Sequence, residues 1–127
     1  MSEPAGFLFS KEHEWVKLDG DVATVGITEY AQNSLGDIVY VELPRVGTKV
    51  EQFASIGVIE SVKAVSDLFT PIGGEIVEVN GATESDPAVV NRAPYAEGWL
   101  VKVKVSDASQ QAGLLSAQAY EALIAEA

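Results

Sequence analysis

Short apolar segments separated by turn-forming residues fill the first eighty positions, and this pattern predicts a mainly β structure. The predicted strands and extended pieces are Glu14–Leu18, Val22–Ile27, Asp37–Leu43, Val50–Ala54, Ser55–Val62, Val65–Phe69 and Glu75–Val79. The dipeptide Asp19-Gly20 predicts a tight hairpin turn between the first two strands. In the third strand, Val39, Val41 and Leu43 should share one face because side chains alternate along a strand.

Helix signals occur at two places within this β pattern. Thr28 can cap a short helical turn through Gln32, and Gly36 can end it. Ser85-Asp86-Pro87 indicates the start of a second helix, because proline is favoured at the first helical position. Pro94 lies close behind, so this helix must be short.

The last third of the chain predicts one more strand and a terminal helix. Gly98–Val105 alternates again, with its valines expected to face inward and its lysines outward. From Ser116 onward we expect a helix that Ser116 itself caps. Its apolar stripe consists of Tyr120, Leu123 and Ile124, which recur at helical spacing.

The length and composition fit a single globular domain. The chain has 127 residues, of which 47% are hydrophobic, so it can bury a core without disulfides or metals. No repeat or linker interrupts it, and we predict one domain over residues 1–127, with a core at about 7–105 and a C-terminal helix at about 116–126. Many short strands with frequent turns favour a small sandwich or barrel, with the terminal helix packed on its outside.

The charge balance narrows the class of partner. Nineteen acidic residues against eight basic ones give a net charge of −11. Such a surface repels nucleic acids and anionic membranes, so neither is expected to bind. It suits a partner with a basic docking face, although many cytoplasmic proteins are acidic without one.

Cysteine usage and hydropathy bear on the compartment. The chain has no cysteine, which excludes disulfides and thiol nucleophiles and suits a reducing environment. No run approaches the roughly 18 apolar residues that span a bilayer, and Met1–Phe7 has no signal-peptide pattern. We therefore expect a cytoplasmic protein.

Few residues offer catalytic or metal-binding chemistry. The single histidine, His13, lies between Glu12 and Glu14 and could act as a general base. A lone histidine more often makes a structural hydrogen bond. Adjacent residues on a strand point to opposite faces, so these three do not predict a metal site. No serine lies in a nucleophile elbow, and we expect no catalytic residues.

One lysine occupies an unusual place in the β pattern. Lys63 lies at the tip of the hairpin predicted from Ser55–Val62 and Val65–Phe69. An exposed lysine amine is mostly protonated at neutral pH, so it is a poor spontaneous nucleophile. A rigid hairpin could instead present it to an enzyme that acylates it. Most lysines are simply solvated charges, and the geometry alone leaves both interpretations open.

A longer motif surrounds this lysine. It consists of Glu60-Ser61-Val62-Lys63-Ala64, Ser66-Asp67, Pro71, Gly74-Glu75 and Val79-Asn80. It resembles the lipoylation motif of the glycine cleavage H-protein family. The similarity continues through His13-Glu14-Trp15-Val16, Gly26-Ile27-Thr28, Tyr30-Ala31-Gln32, Leu35-Gly36-Asp37-Ile38-Val39, Val41-Glu42-Leu43-Pro44, Val46-Gly47, Asp86-Pro87, Val90-Asn91, Pro94-Tyr95 and Gly98-Trp99-Leu100.

The resemblance covers roughly Phe7 to Val105, and the tail fits the family's closing helix. Biotin carriers typically have methionine on each side of the lysine, and lipoyl domains of acyltransferases typically have aspartate before it. Here Val62 and Ala64 flank Lys63. One position departs from the family pattern, because Gly73 stands where many members have serine.

The resemblance implies a fold and a cofactor. The fold would be a mainly β, flattened lipoyl/biotinyl-type barrel-sandwich hybrid with short helices and a C-terminal helix. Lipoate would be joined to Lys63 through an amide, in a turn supported by Glu60, Ser61, Val62, Ala64 and Asp67. The protein would be a carrier and not an enzyme.

The resemblance also implies partners. The carrier would take the aminomethyl group of glycine from the pyridoxal-phosphate-dependent glycine decarboxylase to the tetrahydrofolate-dependent aminomethyltransferase. Dihydrolipoyl dehydrogenase would then reoxidise it, and a lipoate-attaching enzyme would have loaded it. Glu14 and Asp67 resemble positions associated with a cleft that shelters the arm, although both could equally be structural residues. Two alternatives are a relay that passes lipoyl groups to other enzymes and a non-lipoylated interaction module.

Overall fold

The computed structural model describes residues 6–126 as nine strands, four α-helices and one 3₁₀ helix. The strands are β1 (Leu8–Phe9), β2 (Glu14–Asp19), β3 (Val22–Ile27), β4 (Ile38–Glu42), β5 (Lys49–Val50), β6 (Ser55–Ser61), β7 (Val65–Phe69), β8 (Gly74–Val79) and β9 (Val101–Val105). The helices are α1 (Glu29–Leu35), α2 (Ala82–Ser85), α3 (Val89–Arg92) and α4 (Ala117–Ala125), and the 3₁₀ helix spans Ala108–Gly113.

The strands form two antiparallel sheets. The larger has the order β1-β2-β3-β9-β8-β5, and the smaller has the order β4-β6-β7. Apolar side chains from both sheets meet in one core that includes Val25, Ile59, Leu68 and Val103, each at most 2% exposed. The mainly β prediction is therefore confirmed, and both predicted hairpins, β2–β3 and β6–β7, form.

A second apolar cluster holds the terminal helix on the outside of the larger sheet. Phe9, Trp15 and Tyr120 are almost completely buried together, and the rings of Phe9 and Tyr120 stack with their centroids 4.8 Å apart. Ser116 caps α4 by accepting a hydrogen bond from the backbone N–H of Ala119. Leu123 and Ile124 pack on this cluster, so the predicted helix, its cap and its apolar stripe are confirmed.

The predicted face of the third strand is wrong at one residue. The pairing of β4 with β6 shifts register between Ile38 and Tyr40, which is a local bulge. Because a bulge breaks the alternation of side chains, Val39 is 53% exposed while Ile38 and Val41 are buried. Sequence alternation alone places Val39 inside because it assumes regular pairing.

Other element boundaries also differ from the sequence predictions. The extended piece predicted at Val50–Ala54 is a strand only over Lys49–Val50, and turns follow it. The short helix predicted to begin at Ser85-Asp86-Pro87 begins at Val89 instead, and a separate helix, α2, precedes it and ends at Ser85. Helix α1 runs to Leu35, beyond Gln32, and ends at Gly36 as expected.

Candidate functional site

The hairpin β6–β7 ends in a three-residue turn with Lys63 at its centre. Ser61 holds this turn, because its Oγ accepts hydrogen bonds from the backbone N–H groups of Lys63 at 3.3 Å and Ala64 at 3.1 Å. The backbone N–H of Ser61 donates to the carbonyl of Ala64 at 2.8 Å. Ser61 is 9% exposed, so the turn has a buried polar anchor beneath an exposed lysine.

The turn is also attached to the segment that follows α1. The backbone N–H of Val62 donates to the carbonyl of Asp37 at 3.0 Å. Ile38 pairs with Ser61 across β4 and β6. Lys63 Cε lies 3.6 Å from the point where a side chain on Gly36 would place its Cβ. The stem of Lys63 therefore lies against the end of α1, and within residues 6–126 no carboxylate pairs with its amine.

The surface around the turn is apolar and acidic. Exposed apolar side chains cluster near Lys63, and they are Val39, Tyr40, Val62 and Val65. Tyr40, Glu60 and Val65 form one row across the outer face of the smaller sheet, and Glu42, Val58 and Asp67 form the next row. The negative charge of Glu42 raises the pKa of Tyr40. This face can therefore meet a partner that offers apolar and cationic groups.

A buried carboxyl group lies on the larger sheet. Glu14 in β2 is 2% exposed, and its Oε1 accepts a hydrogen bond from Ser10 Oγ at 2.6 Å. Burial raises the pKa of Glu14 to about 8, even though hydrogen bonds from Ser10 and from the backbone of Phe69 oppose the shift. Glu14 is therefore mostly protonated at neutral pH and can release its proton if a cation approaches.

A cavity of about 350 Å³ lies beside this carboxyl group. Its lining residues are Ser10, Lys11, Glu12, Phe53, Phe69 and Gly113. Ser10 both lines the cavity and hydrogen-bonds with Glu14, so it connects the carboxyl to the cavity wall. Phe69 is also the last residue of β7, the strand that leads away from Lys63.

The structure separates the residues predicted for the site into two groups. Glu60, Ser61, Val62 and Ala64 surround Lys63 in the turn and the end of β6. Glu14 lies in the other sheet, next to the cavity. Asp67 is exposed on the outer face of β7, two residues before Phe69. Sequence reasoning missed Ser10, Phe53 and Phe69, because no motif marks residues that meet only through long-range folding.

His13 has a structural environment. Its Nδ1 lies 2.8 Å from the hydroxyl of Tyr120, and its ring lies 4.7 Å from that of Tyr30. Burial lowers the pKa of His13, which favours the neutral ring. The described part of the chain contains no group of three potential metal ligands, and no helix in that part is long and apolar enough to cross a membrane.

The glycine that departs from the family pattern is closely packed. A Cβ on Gly73 would lie 2.9 Å from the backbone nitrogen of Gln52. The backbone N–H of Gly73 donates to the side-chain oxygen of Gln110 at 2.8 Å. Glycine at this position therefore permits a close approach to the backbone that follows β5.

Two antiparallel sheets packed face to face, with a lysine at the tip of a hairpin, define a barrel-sandwich of the lipoyl carrier class. The sequence model of the family described as glycine cleavage H-protein matches residues 7–127. The chain belongs to this family. Membership supports a carrier role in glycine cleavage and implies a protein that carries lipoate.

Individual relatives agree with this assignment. A glycine cleavage system H protein of Staphylococcus epidermidis is 54% identical over 126 residues, which are 99% of this chain and 100% of that protein. One of Bacteroides thetaiotaomicron is 51% identical over 124 residues, or 98% of each chain. The crystal structure of a glycine cleavage system H protein from Mycobacterium marinum superposes with a TM-score of 0.87 at 39% identity, covering 97% of this chain and 99% of that one.

Proposed function

We propose that the whole chain, residues 1–127, acts as a single non-catalytic domain that carries lipoate in amide linkage on Lys63. The observation that supports this most is the presentation of Lys63 at the centre of a turn anchored by Ser61, with an exposed amine. When attached, lipoate supplies a disulfide that can be reduced and can carry a one-carbon amine unit. The absence of cysteine from the chain fits a cytoplasmic location, where thiols remain reduced.

The carrier serves three enzymes in turn. It takes the aminomethyl group of glycine from the pyridoxal-phosphate-dependent decarboxylase to the tetrahydrofolate-dependent aminomethyltransferase, and dihydrolipoyl dehydrogenase then restores the disulfide. A lipoate-attaching enzyme loads Lys63 beforehand. Tethering keeps the cargo at high effective concentration near each enzyme, which is the physical benefit of a carrier. The turn residues Glu60, Ser61, Val62, Ala64 and Asp67 present the lysine to these partners.

The residues around the cavity fit a sheltering role for a loaded arm. Phe53 and Phe69 supply apolar walls, and Glu14 lies behind Ser10 as a protonated carboxyl. A cationic amine that enters the cavity would favour the ionised form of Glu14, and the resulting charge-assisted hydrogen bond would retain it. Asp67 adds a negative charge on the outer face of the β6–β7 hairpin, which also contains Phe69.

Intact-mass measurement of the protein from its native host tests the attachment. We expect a lipoyl increment that maps to Lys63 by peptide fragmentation and is absent from Lys63→Arg, which keeps the charge. A biotin increment, or no increment from a host that makes lipoate, would contradict the proposal.

Complementation separates the shuttle from a relay. A strain without its own carrier should regain glycine cleavage when given this chain and the three partner enzymes. Restored lipoylation of other enzymes without glycine cleavage would favour a relay that passes lipoyl groups on.

A further inference from the structure

A partly buried amide connects a short helix to the segment that supports the lysine turn. Asn91 in α3 accepts a hydrogen bond on its Oδ1 from the backbone N–H of Ile38 at 2.9 Å. Its Nδ2 donates to the carbonyl of Gly36 at 2.9 Å and to Oε1 of Gln32 at 2.8 Å. A backbone N–H can only donate and a backbone carbonyl can only accept, so these partners fix the orientation of the amide.

The residue between the two backbone partners of Asn91 supports the turn directly. The carbonyl of Asp37 accepts the hydrogen bond from the N–H of Val62, the residue before Lys63. The stem of Lys63 passes close to Gly36, whose φ of +80° is a conformation that residues with a side chain rarely adopt. The segment 36–38 therefore touches both the backbone of the turn and the side chain of the lysine.

From this arrangement we propose that Asn91 is a positioning residue for Lys63. It acts through segment 36–38, which it ties to α3, whose Val90 is completely buried in the core. Without the amide, segment 36–38 loses its link to α3, and the Val62 hydrogen bond then has a less rigid acceptor. The importance of Asn91 for modification of Lys63 rests on the proposed function, whereas its effect on the turn does not.

The chain contains a matched control for this amide. Asn80 also donates from Nδ2 to two acceptors, the carbonyls of Glu97 at 2.8 Å and Trp99 at 2.7 Å. Its Oδ1 accepts from the backbone N–H of Ala82 at 3.1 Å. Asn80 thus makes as many side-chain hydrogen bonds as Asn91, although both of its acceptors are backbone carbonyls. It holds segments around α2 and β9 and not the lysine turn. Asn80→Ala therefore controls for the general effect of losing an amide that makes three hydrogen bonds.

The first measurement is amide hydrogen exchange by NMR on the unlipoylated full chain. We expect Asn91→Ala to accelerate exchange at Val62 by about tenfold or more relative to the average change in the core, because its hydrogen bond opens more often. Asn80→Ala should leave Val62 at that average. Asn91→Asp keeps an acceptor for Ile38 but cannot donate to Gly36, so it should fall between wild type and Asn91→Ala. Equal exchange at Val62 in the Asn91→Ala and Asn80→Ala variants would overturn the proposal.

The second measurement is the rate of Lys63 modification by a purified lipoate-attaching enzyme. We expect kcat/KM for Asn91→Ala to fall by about tenfold, because small displacements of a reacting group are costly in rate. Asn80→Ala should be modified at the wild-type rate.

If wild type is not modified at all while Val62 still exchanges faster in Asn91→Ala, the proposed function fails and the positioning of the turn stands. A normal modification rate in Asn91→Ala with a loosened turn would overturn the positioning role in modification. If Asn91→Ala does not fold, the exchange rate at Val62 and the rate of Lys63 modification are measured on Asn91→Asp instead.

Discussion

Glu14 is a carboxyl group that the fold keeps protonated at neutral pH. A carboxyl group prefers water when ionised, yet this one is 2% exposed and hydrogen-bonds to Ser10. The fold therefore keeps it as a neutral acid, and its pKa of about 8 follows mainly from that burial. At neutral pH such a group releases its proton when a positive charge compensates for its burial.

The pH dependence of stability tests the protonation state of Glu14. The unfolded chain releases this proton near pH 4.5, whereas the folded protein releases it near pH 8. Between these values the unfolded state binds fewer protons, so the free energy of unfolding decreases as pH rises, by up to about 1.4 kcal/mol per pH unit. The neutral variant Glu14→Gln should lack this loss and should be more stable than wild type at pH 8.

Urea denaturation between pH 4.5 and 8.5 measures this difference. Glu75→Gln, a change of an exposed carboxyl on β8, serves as the control and should run parallel to wild type. Parallel curves for wild type and Glu14→Gln would show that folding does not raise the pKa of Glu14.

At the residue scale, the sequence predicted the functional residues that belong to a local motif. Lys63 and its turn follow from the strands on either side and from the residues next to the lysine. Ser10 meets Phe53 and Phe69 only at the cavity of the folded chain, and Asn91 is more than fifty residues from each segment it ties. Such contacts depend on how distant segments pack, and no local pattern in a single sequence encodes them.

At the scale of elements, α4 is the clearest case of a helix held by one side chain. The hydroxyl of Tyr120 lies 2.8 Å from His13 Nδ1 and 2.7 Å from Thr28 Oγ1, and Thr28 caps α1. One buried hydroxyl therefore joins α4 to the turn before β2 and to the start of α1. The ring of Tyr120 packs on Phe9 in the second apolar cluster.

Removing this hydroxyl should weaken the attachment of α4. We expect Tyr120→Phe to reduce the free energy of unfolding by about 1–3 kcal/mol, because it removes the hydrogen bonds that the buried hydroxyl makes with His13 and Thr28. Tyr40→Phe is the matched control, since Tyr40 is 45% exposed and only approaches Glu42 at 3.4 Å. Its effect should stay within about 0.5 kcal/mol. Urea denaturation provides both values, and equal effects would contradict the role given to the Tyr120 hydroxyl.

The sequence predicted which elements exist better than where each begins and ends. Turn dipeptides and caps such as Asp19-Gly20, Thr28 and Ser116 acted locally, and the elements beside them formed as expected. The bulge that exposes Val39 depends on the partner strand β6, so alternation could not predict it. The division between α2 and α3 likewise became visible only in the folded chain.

At the scale of the whole molecule, charge dominates how this chain meets its partners. The net charge is −11, and acylation of Lys63 would take it to −12 by removing one positive charge. The outer face of the smaller sheet carries Glu42, Glu60 and Asp67 beside exposed apolar groups. Long-range attraction to a basic surface should therefore bring partners to the carrier before the apolar groups make contact.

The salt dependence of docking tests this attraction. Binding of the lipoylated chain to a glycine decarboxylase should weaken as salt rises from about 0.05 M to 0.5 M, because salt screens exposed charges. We expect most of the change in the association rate constant, measured by surface plasmon resonance. Repeating the series with a neutral osmolyte in place of salt controls for solvent effects. Affinity that does not respond to salt would contradict electrostatic docking.

The pairing of β3 with β9 has a consequence for biosynthesis. Residues 22–25 find their partners only at residues 101–104, so the larger sheet cannot close until nearly the whole chain has left the ribosome. The β6–β7 hairpin leaves much earlier, but Asn91 follows its lysine by 28 positions. A nascent chain therefore displays Lys63 before Asn91 has emerged, and an enzyme that requires the supported turn acts only after Asn91 has folded into place.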